Sequence, residues 1–260
     1  MGEVIIRVDN IKKNYRVYKT NWQKIRSLLF GQSAGRIRNA LKGVSFEIQK
    51  GETVGIIGLP FSGRTTLMKI ICGIIAPDSG SVEVNGKVTP VLDHRMGFQT
   101  VMRGIDNYNI RCKLLGWTDE EIADHEDAVF EFAGLSKEKN LAMRQYRKGR
   151  INRLGFAIST ELKPDILVYD EKFSFAAKTF ADKAVRRLKK LTADDDTTLV
   201  MTVTQREYAR SLCKRGIVLD KGKVVFDGPF DEALEYYDAN VKSKLKQSDS
   251  GIEDQSKVSD

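Results

Sequence analysis

The 260-residue chain is short of the residues that staple or ligate a fold. Its three cysteines, Cys72, Cys112 and Cys213, are scattered without disulfide or zinc spacing, and its two histidines exclude a His-rich metal centre. Five prolines and no biased tract exclude collagen-like or wholly disordered chains. No run of 18 apolar residues is present to span a bilayer. The start, MGEVIIRVDN, carries Glu3 and Asp9 and lacks a signal-type apolar core, so a cytosolic protein is expected. No repeat of 20–50 residues is evident.

Acidic charge is missing from one stretch in particular. The net charge is +8, and the first fifty residues hold eleven basic residues against three acidic ones. Between Ile11 and Phe46 no acid occurs. Such a strip suits a polyanion, an anionic membrane surface or simply a solvated face. The segment from Lys246 to Asp260 is acidic and weakly hydrophobic, and a disordered tail is expected there.

The apolar spacing alternates between strand and helix. Strands are expected at Val4–Val8, Gly43–Ile48, Glu52–Gly58, Ser81–Val84, Asp165–Asp170 and Thr197–Val203. Asn85-Gly86 reads as a hairpin turn returning through Lys87–Val91, and Lys221-Gly222 as another between Gly216–Asp220 and Val224–Phe226. Trp22, Ile25, Leu28 and Leu29 fall near one face of a short helix. Helical spacing fills Gly63–Gly73, most of Asp106–Leu162 and Phe180–Leu191. Strands alternating with helices argue for an α/β sheet with a helical insertion.

The most informative frame is Gly58-Leu-Pro-Phe-Ser-Gly63-Arg64-Thr65-Thr66, which follows a strand and opens a helix. Glycines let consecutive N–H groups curl around a phosphate, and the helix N-terminus adds partial positive charge. A basic side chain neutralises phosphate oxygens, and the Thr65 hydroxyl is placed to ligate Mg²⁺. Asp170, at the end of an apolar strand, is a candidate for holding that metal through water. Glu171 is a candidate for orienting an attacking water.

Together with GETVGIIG, TLMKIICGIIAPDSGSVEVNGKV, RLGFAIS, PDILVYDE and IVLDKGKVVFDG, this frame resembles the nucleotide-binding subunits of ABC transporters. The likeness is to the polysaccharide and teichoic-acid exporter branch, over Val4 to about Leu245. It implies an α/β P-loop NTPase cassette with a RecA-like core, an antiparallel β subdomain and a helical subdomain. On that basis residues 1–245 form the cassette, with the helical part at about 100–162 and a basic insertion at about 16–39. The implied cofactors are ATP and Mg²⁺. The implied partners are a membrane-spanning permease and a second cassette, alike or unlike, at the cytoplasmic side of the cell membrane. The basic insertion would lie on the permease or the inner membrane surface, and no nucleic acid is expected.

The resemblance also assigns roles. Tyr15 stands where an aromatic stacks on adenine, with Tyr18 as the rival. Residues Gly58, Pro60, Phe61, Ser62, Gly63, Arg64, Thr65 and Thr66 form the phosphate loop. Gln99 matches the glutamine that senses Mg²⁺ and the membrane partner, and Glu171 the general base. Arg147 and Gly149 fall in the signature motif, which a second subunit's nucleotide would meet.

Several of these positions depart from the family pattern. Arg64 replaces lysine, and Pro60-Phe61 replaces Asn-Gly. Pro60 has no N–H to donate, and Phe61 tolerates a positive φ poorly if the loop requires one. Arg147 and Lys148 replace small residues, with Arg144 and Arg150 adding charge, and Ala177 stands for an interface aspartate. Thr204, followed by Gln205, occupies the switch-histidine position; losing such a group commonly costs ~10²–10⁴-fold in rate. Slow or absent hydrolysis is therefore expected. The alternative is a non-hydrolysing regulatory or scaffold cassette beside an active ABC ATPase.

Overall fold

The computed structural model describes residues 2–18, 20, 22, 36–92, 97–147, 149–170, 178–194 and 196–243. In chain order the strands are β1 (Val4–Val17), β2 (Arg36–Gln49), β3 (Thr53–Gly58), β4 (Ser79–Val84), β5 (Val88–Val91), β6 (Ile166–Tyr169), β7 (Thr198–Thr202), β8 (Arg215–Asp220) and β9 (Lys223–Pro229). The α-helices are α1 (Arg64–Ile71), α2 (Gly104–Leu114), α3 (Asp119–Ala133), α4 (Arg150–Glu161), α5 (Lys178–Leu191), α6 (Arg206–Arg210) and α7 (Phe230–Tyr237). The expected helix around Ile25, Leu28 and Leu29 and the expected tail from Lys246 lie outside the described residues; Trp22 itself is exposed. The chain divides into two compact units.

One unit comprises residues 1–3, 49–56 and 85–215. Its strands β5, β6, β7 and the start of β3 lie side by side in that order, all parallel. β6 and β7 are buried at every position, which is why their sequences read as continuous apolar or β-branched runs. The helices α2, α3 and α4 supply an aromatic core. Tyr108 meets Phe130 with ring centroids 5.6 Å apart, and Phe156 meets Tyr169 at 6.1 Å and Phe180 at 6.3 Å. Helix α3 starts on a capping box: the Glu121 N–H donates to Thr118 Oγ1, and the Thr118 N–H donates to the Glu121 carboxylate. Burial pushes the Cys112 thiol of α2, and the Cys72 thiol of the other unit, up to about 12, so neither is a thiolate at neutral pH.

The other unit comprises residues 4–48, 57–84 and 216–260. Its antiparallel sheet has the order β2-β1-β4, with Ile6 opposite Val84 and Val8 opposite Val82. β1 and β2 extend further than their apolar residues suggest: both strands continue through residues that are mostly exposed. Asp78 pins this extension. Its carboxylate accepts from Lys13 Nζ and the Asn14 N–H, each at 2.7 Å, and its N–H donates to the Lys12 carbonyl at 2.8 Å. The β8–β9 hairpin turns through Lys221 (φ 47°) and Gly222 (φ 84°), as the sequence suggests.

The Asn85-Gly86 turn departs from expectation. β4 pairs with β1 in the antiparallel sheet, whereas β5 pairs in parallel with β6, so the chain passes between sheets there and forms no hairpin. The turn chemistry is real, with Gly86 at φ 140°. The Lys87 N–H is captured by the Asp165 carboxylate at 2.8 Å, which steers the chain into the parallel sheet.

Two outcomes test this account. Phe156 is fully buried among aromatic rings, so Phe156→Ala should lower stability by about 3–5 kcal/mol in urea denaturation. The Lys13 ammonium, and after it the Asn14 N–H, holds the Asp78 carboxyl below its ordinary range. A carboxyl with a lowered folded pKa stabilises above its unfolded pKa and loses that contribution as pH falls. The melting-temperature gap between wild type and Asp78→Asn, present at neutral pH, should therefore close as pH drops below about 4.

Candidate functional site: a glycine-bounded anion loop

Strand β3 is buried at every residue and ends at Gly58. The chain then makes a tight turn. The Ser62 N–H donates to the Leu59 carbonyl at 3.1 Å, with Pro60 and Phe61 at the two central positions. Phe61 has φ 68°. A proline followed by a left-handed residue is the pattern of a type II turn, whose third position ordinarily takes glycine or asparagine. The loop therefore does require the positive φ that a phenylalanine tolerates poorly, at a cost of roughly 1–2 kcal/mol. The phenyl ring does not fill the turn: Phe61 is 82% exposed. Arg38 of β2 lies over it, the guanidinium carbon 4.8 Å from the ring centroid and Nη2 donating to the Phe61 carbonyl at 3.3 Å.

The two bounding glycines are fixed by close approach. A Cβ on Gly58 would lie 2.4 Å from the Leu219 carbonyl oxygen and 2.5 Å from Ser62 Oγ. One on Gly63, at φ 110°, would lie 2.5 Å from the Ala40 carbonyl oxygen. The back of the loop is tied down where the Gly222 N–H donates to the Ser62 carbonyl at 2.9 Å. Helix α1 then opens directly from Gly63 with no side-chain cap and no acid in its first turn. Ser62 is 4% exposed, and its Oγ has no hydrogen-bond partner among the described residues. An uncapped helix start, an unpartnered buried hydroxyl and a bend into which no Cβ fits suit a phosphate group. Arg64, Thr65 and Thr66 are half-buried in the first turn of α1. Tyr15 lies on the exposed end of β1, 37% accessible.

The remaining candidates belong to the other unit. Asp170 is buried at the end of β6; its Oδ1 accepts from Thr202 Oγ1 at 2.7 Å, and its N–H donates to the Val91 carbonyl at 2.9 Å. Gln99 is exposed, but its backbone is clamped by buried Asn107. Asn107 Oδ1 accepts from the Gln99 N–H at 2.7 Å, and Nδ2 donates to the carbonyls of Gln99 and Arg103. Gly149, at φ 83°, starts α4 without a side-chain cap or a first-turn acid. Arg144, Arg147, Thr204 and Gln205 are exposed. Arg150 does not join the expected basic cluster: its Nη1 pairs with Glu138 Oε1. Tyr146 is buried beside it, donating to the Glu138 carbonyl at 3.0 Å. Burial, with the Glu138 charge second, pushes its phenol up to about 12. Glu171, Lys148 and Ala177 lie outside the described residues.

Arg38, Asn107 and Thr202 are the residues that sequence reasoning missed. Only Asn107 left a sequence trace, as a polar residue on the inward side of α2 that is now seen to be buried.

The loop and the parallel strands define a P-loop type α/β nucleotide-binding cassette. Comparison with known proteins agrees. The profile of the family described as "ABC transporter" matches residues 41–174. The teichoic acids export ATP-binding protein TagH of Listeria innocua is 33% identical over 95% of this chain and 74% of its own length. TagH of Bacillus anthracis is 30% identical over 91% of this chain but 43% of its own length. The chain thus spans less than half the length of some curated relatives that it matches. Among solved structures, the ATP-binding cassette MJ0796 bound to ADP and Pi superposes with a TM-score of 0.71. It is 21% identical, covering 86% of this chain and 98% of that one, and so shares the fold. The chain belongs to the ABC transporter family, and its fold is that of the ABC cassette.

Gly63→Ala tests the loop. A Cβ at φ 110° would press against the Ala40 carbonyl oxygen, which no side-chain movement relieves, so a stability loss of at least about 1–2 kcal/mol is expected in chemical denaturation. Faster amide exchange through residues 58–66 should accompany it.

Proposed function

We propose that this chain is the cytoplasmic ATP-binding subunit of an ABC exporter of teichoic acid or a related cell-surface polysaccharide. It would work as a dimer of like or unlike cassettes with a separate membrane permease. The cassette would occupy residues 1–245, with its helical part at about 100–162 and the basic insertion at about 16–39. The observation that carries the reading is the loop at 58–63, uncapped at α1 and backed by three close-packed glycine contacts. The names of the relatives supply the substrate class.

In this reading the loop amides and Arg64 hold the phosphates, and Tyr15 meets the base. Thr65, Asp170 and Gln99 would be the residues that hold Mg²⁺, which when bound would screen the phosphate charge. Thr202 keeps the Asp170 carboxylate oriented, since its hydroxyl donates to Oδ1 at 2.7 Å. Asn107 fixes the backbone from which Gln99 projects. Glu171 would orient water. Hydrolysis would be slow, because Arg64 is broader and planar where the family has a compact ammonium, and Thr204 supplies no imidazole.

A second reading, a non-hydrolysing cassette that regulates or scaffolds an active ABC ATPase, draws on the signature turn. There Arg147 and Lys148 stand in place of small residues, and Arg150 is occupied by Glu138.

Titration of the purified chain with Mg-ATP, read beside turnover, separates the two. The first reading expects saturable, Mg²⁺-dependent binding with slow turnover that Glu171→Gln abolishes. Arg64→Lys should tighten binding by about tenfold, the worth of one well-made charge-assisted contact. Binding without any turnover favours the second reading, and no binding at all defeats both.

A further inference from the structure

The tip of the loop holds a bulky residue in a backbone conformation that glycine usually supplies, and a single cation touches it twice. Arg38 covers the exposed Phe61 ring at 4.8 Å and donates to the Phe61 carbonyl at 3.3 Å. The ring contact restrains the side chain, and the carbonyl contact restrains the peptide plane that follows the left-handed residue. Both act on the torsions that a phenylalanine would otherwise relax.

On β2 Arg38 also lines an open cavity of about 640 Å³ with Arg36 and Lys42, which carry the same sign. No acid occurs in the sequence between Ile11 and Phe46. The guanidinium meets electron density on the ring face and at the carbonyl oxygen. Ala40, two residues further along β2, is the residue whose carbonyl closes against Gly63. One strand thus supplies both the floor of the loop and the clasp on its tip.

We propose that Arg38 is a positioning residue of the phosphate loop: by clasping Phe61 it holds the loop in the shape that receives a phosphate, the task that Asn-Gly chemistry performs through backbone freedom alone. This rests on reading the loop as a nucleotide site, but the clasp itself is testable without nucleotide.

The experiment is a double-mutant cycle on the full chain with Arg38→Gln, Phe61→Gly and the pair. Hydrogen–deuterium exchange of residues 58–66 is measured without nucleotide, and affinity for Mg-ATP by a fluorescent analogue. Arg38→Gln alone should speed loop exchange and weaken the analogue, each by about tenfold, the combined worth of a ring contact and a charge-assisted hydrogen bond. In the Phe61→Gly background the same change should alter either quantity by less than about twofold, because glycine needs no clasp. Unchanged exchange in Arg38→Gln, or equal losses in both backgrounds, overturns the proposal; equal losses mean that Arg38 acts on something other than Phe61. Should the wild type bind no nucleotide, the functional reading fails while the exchange arm still decides the clasp. Arg38 is exposed, so its substitution is not expected to unfold the chain; matching circular dichroism confirms this, and Arg38→Lys, keeping charge without the planar fork, should recover part of the protection.

Discussion

The carbonyl oxygen of Ala40 is the fixed point of the anion loop. Gly63 packs against it from the loop, and Gly222 packs against it from the β8–β9 turn, where a Cβ would lie 2.6 Å away. The Lys42 N–H reaches the Gly222 carbonyl at 2.8 Å, and the Gly222 N–H reaches Ser62 at 2.9 Å. Three segments far apart in sequence are thus joined almost wholly by backbone. Backbone contacts do not depend on side-chain identity except where a side chain would intrude, so the glycines are fixed while other loop positions are free to change. That is how the bend persists with Arg64 at the helix start and Pro60-Phe61 at the tip.

The tip itself is a balance of two opposed local effects. Pro60 sets the first central residue of the turn in advance, which lowers unfolded-state entropy and is worth about 0.4–1 kcal/mol. Phe61 in the left-handed region costs roughly 1–2 kcal/mol. The two nearly offset, and the Arg38 contacts, worth about 0.5–1 kcal/mol for the ring alone, fall in the remaining gap. The proline's missing N–H costs no turn hydrogen bond, because the closing donor belongs to Ser62 and the acceptor to Leu59.

What the sequence made legible follows the same division. β3, β6 and β7 could be read because they are buried throughout and so are apolar or β-branched throughout. The glycine frame could be read because close backbone approach admits no other residue. The outer halves of β1 and β2 could not, since residues such as Lys12–Val17 show no buried face: strand pairing and the Asp78 clasp hold them there, not burial. Asn85-Gly86 misled for a related reason. Turn chemistry specifies a bend but not which sheet receives the next strand; here β5 pairs with β6, and the Lys87 N–H bonds the Asp165 carboxylate at its start. Thr202 and Arg38 act only through partners that tertiary folding brings near, so no local pattern marked them.

The helix starts extend this argument beyond the loop. α3 is finished by its own chemistry, with a reciprocal Thr118–Glu121 cap and three acids in the first turn. α1 and α4 are not: each opens on a left-handed glycine, Gly63 and Gly149, with no side-chain cap and no acid in the first turn. An uncapped start leaves N–H groups and dipole charge unanswered by side chains, which disfavours the helix in isolation. A chain that caps one helix fully and leaves these two bare keeps their ends accessible to a negative group from outside. At α1 the unpartnered Ser62 hydroxyl reinforces that readiness. At α4 the Arg150 guanidinium of the first turn is turned onto Glu138 instead. The two ends therefore differ: α1 has a buried hydroxyl at its uncapped start, and α4 has a guanidinium already paired with a carboxylate.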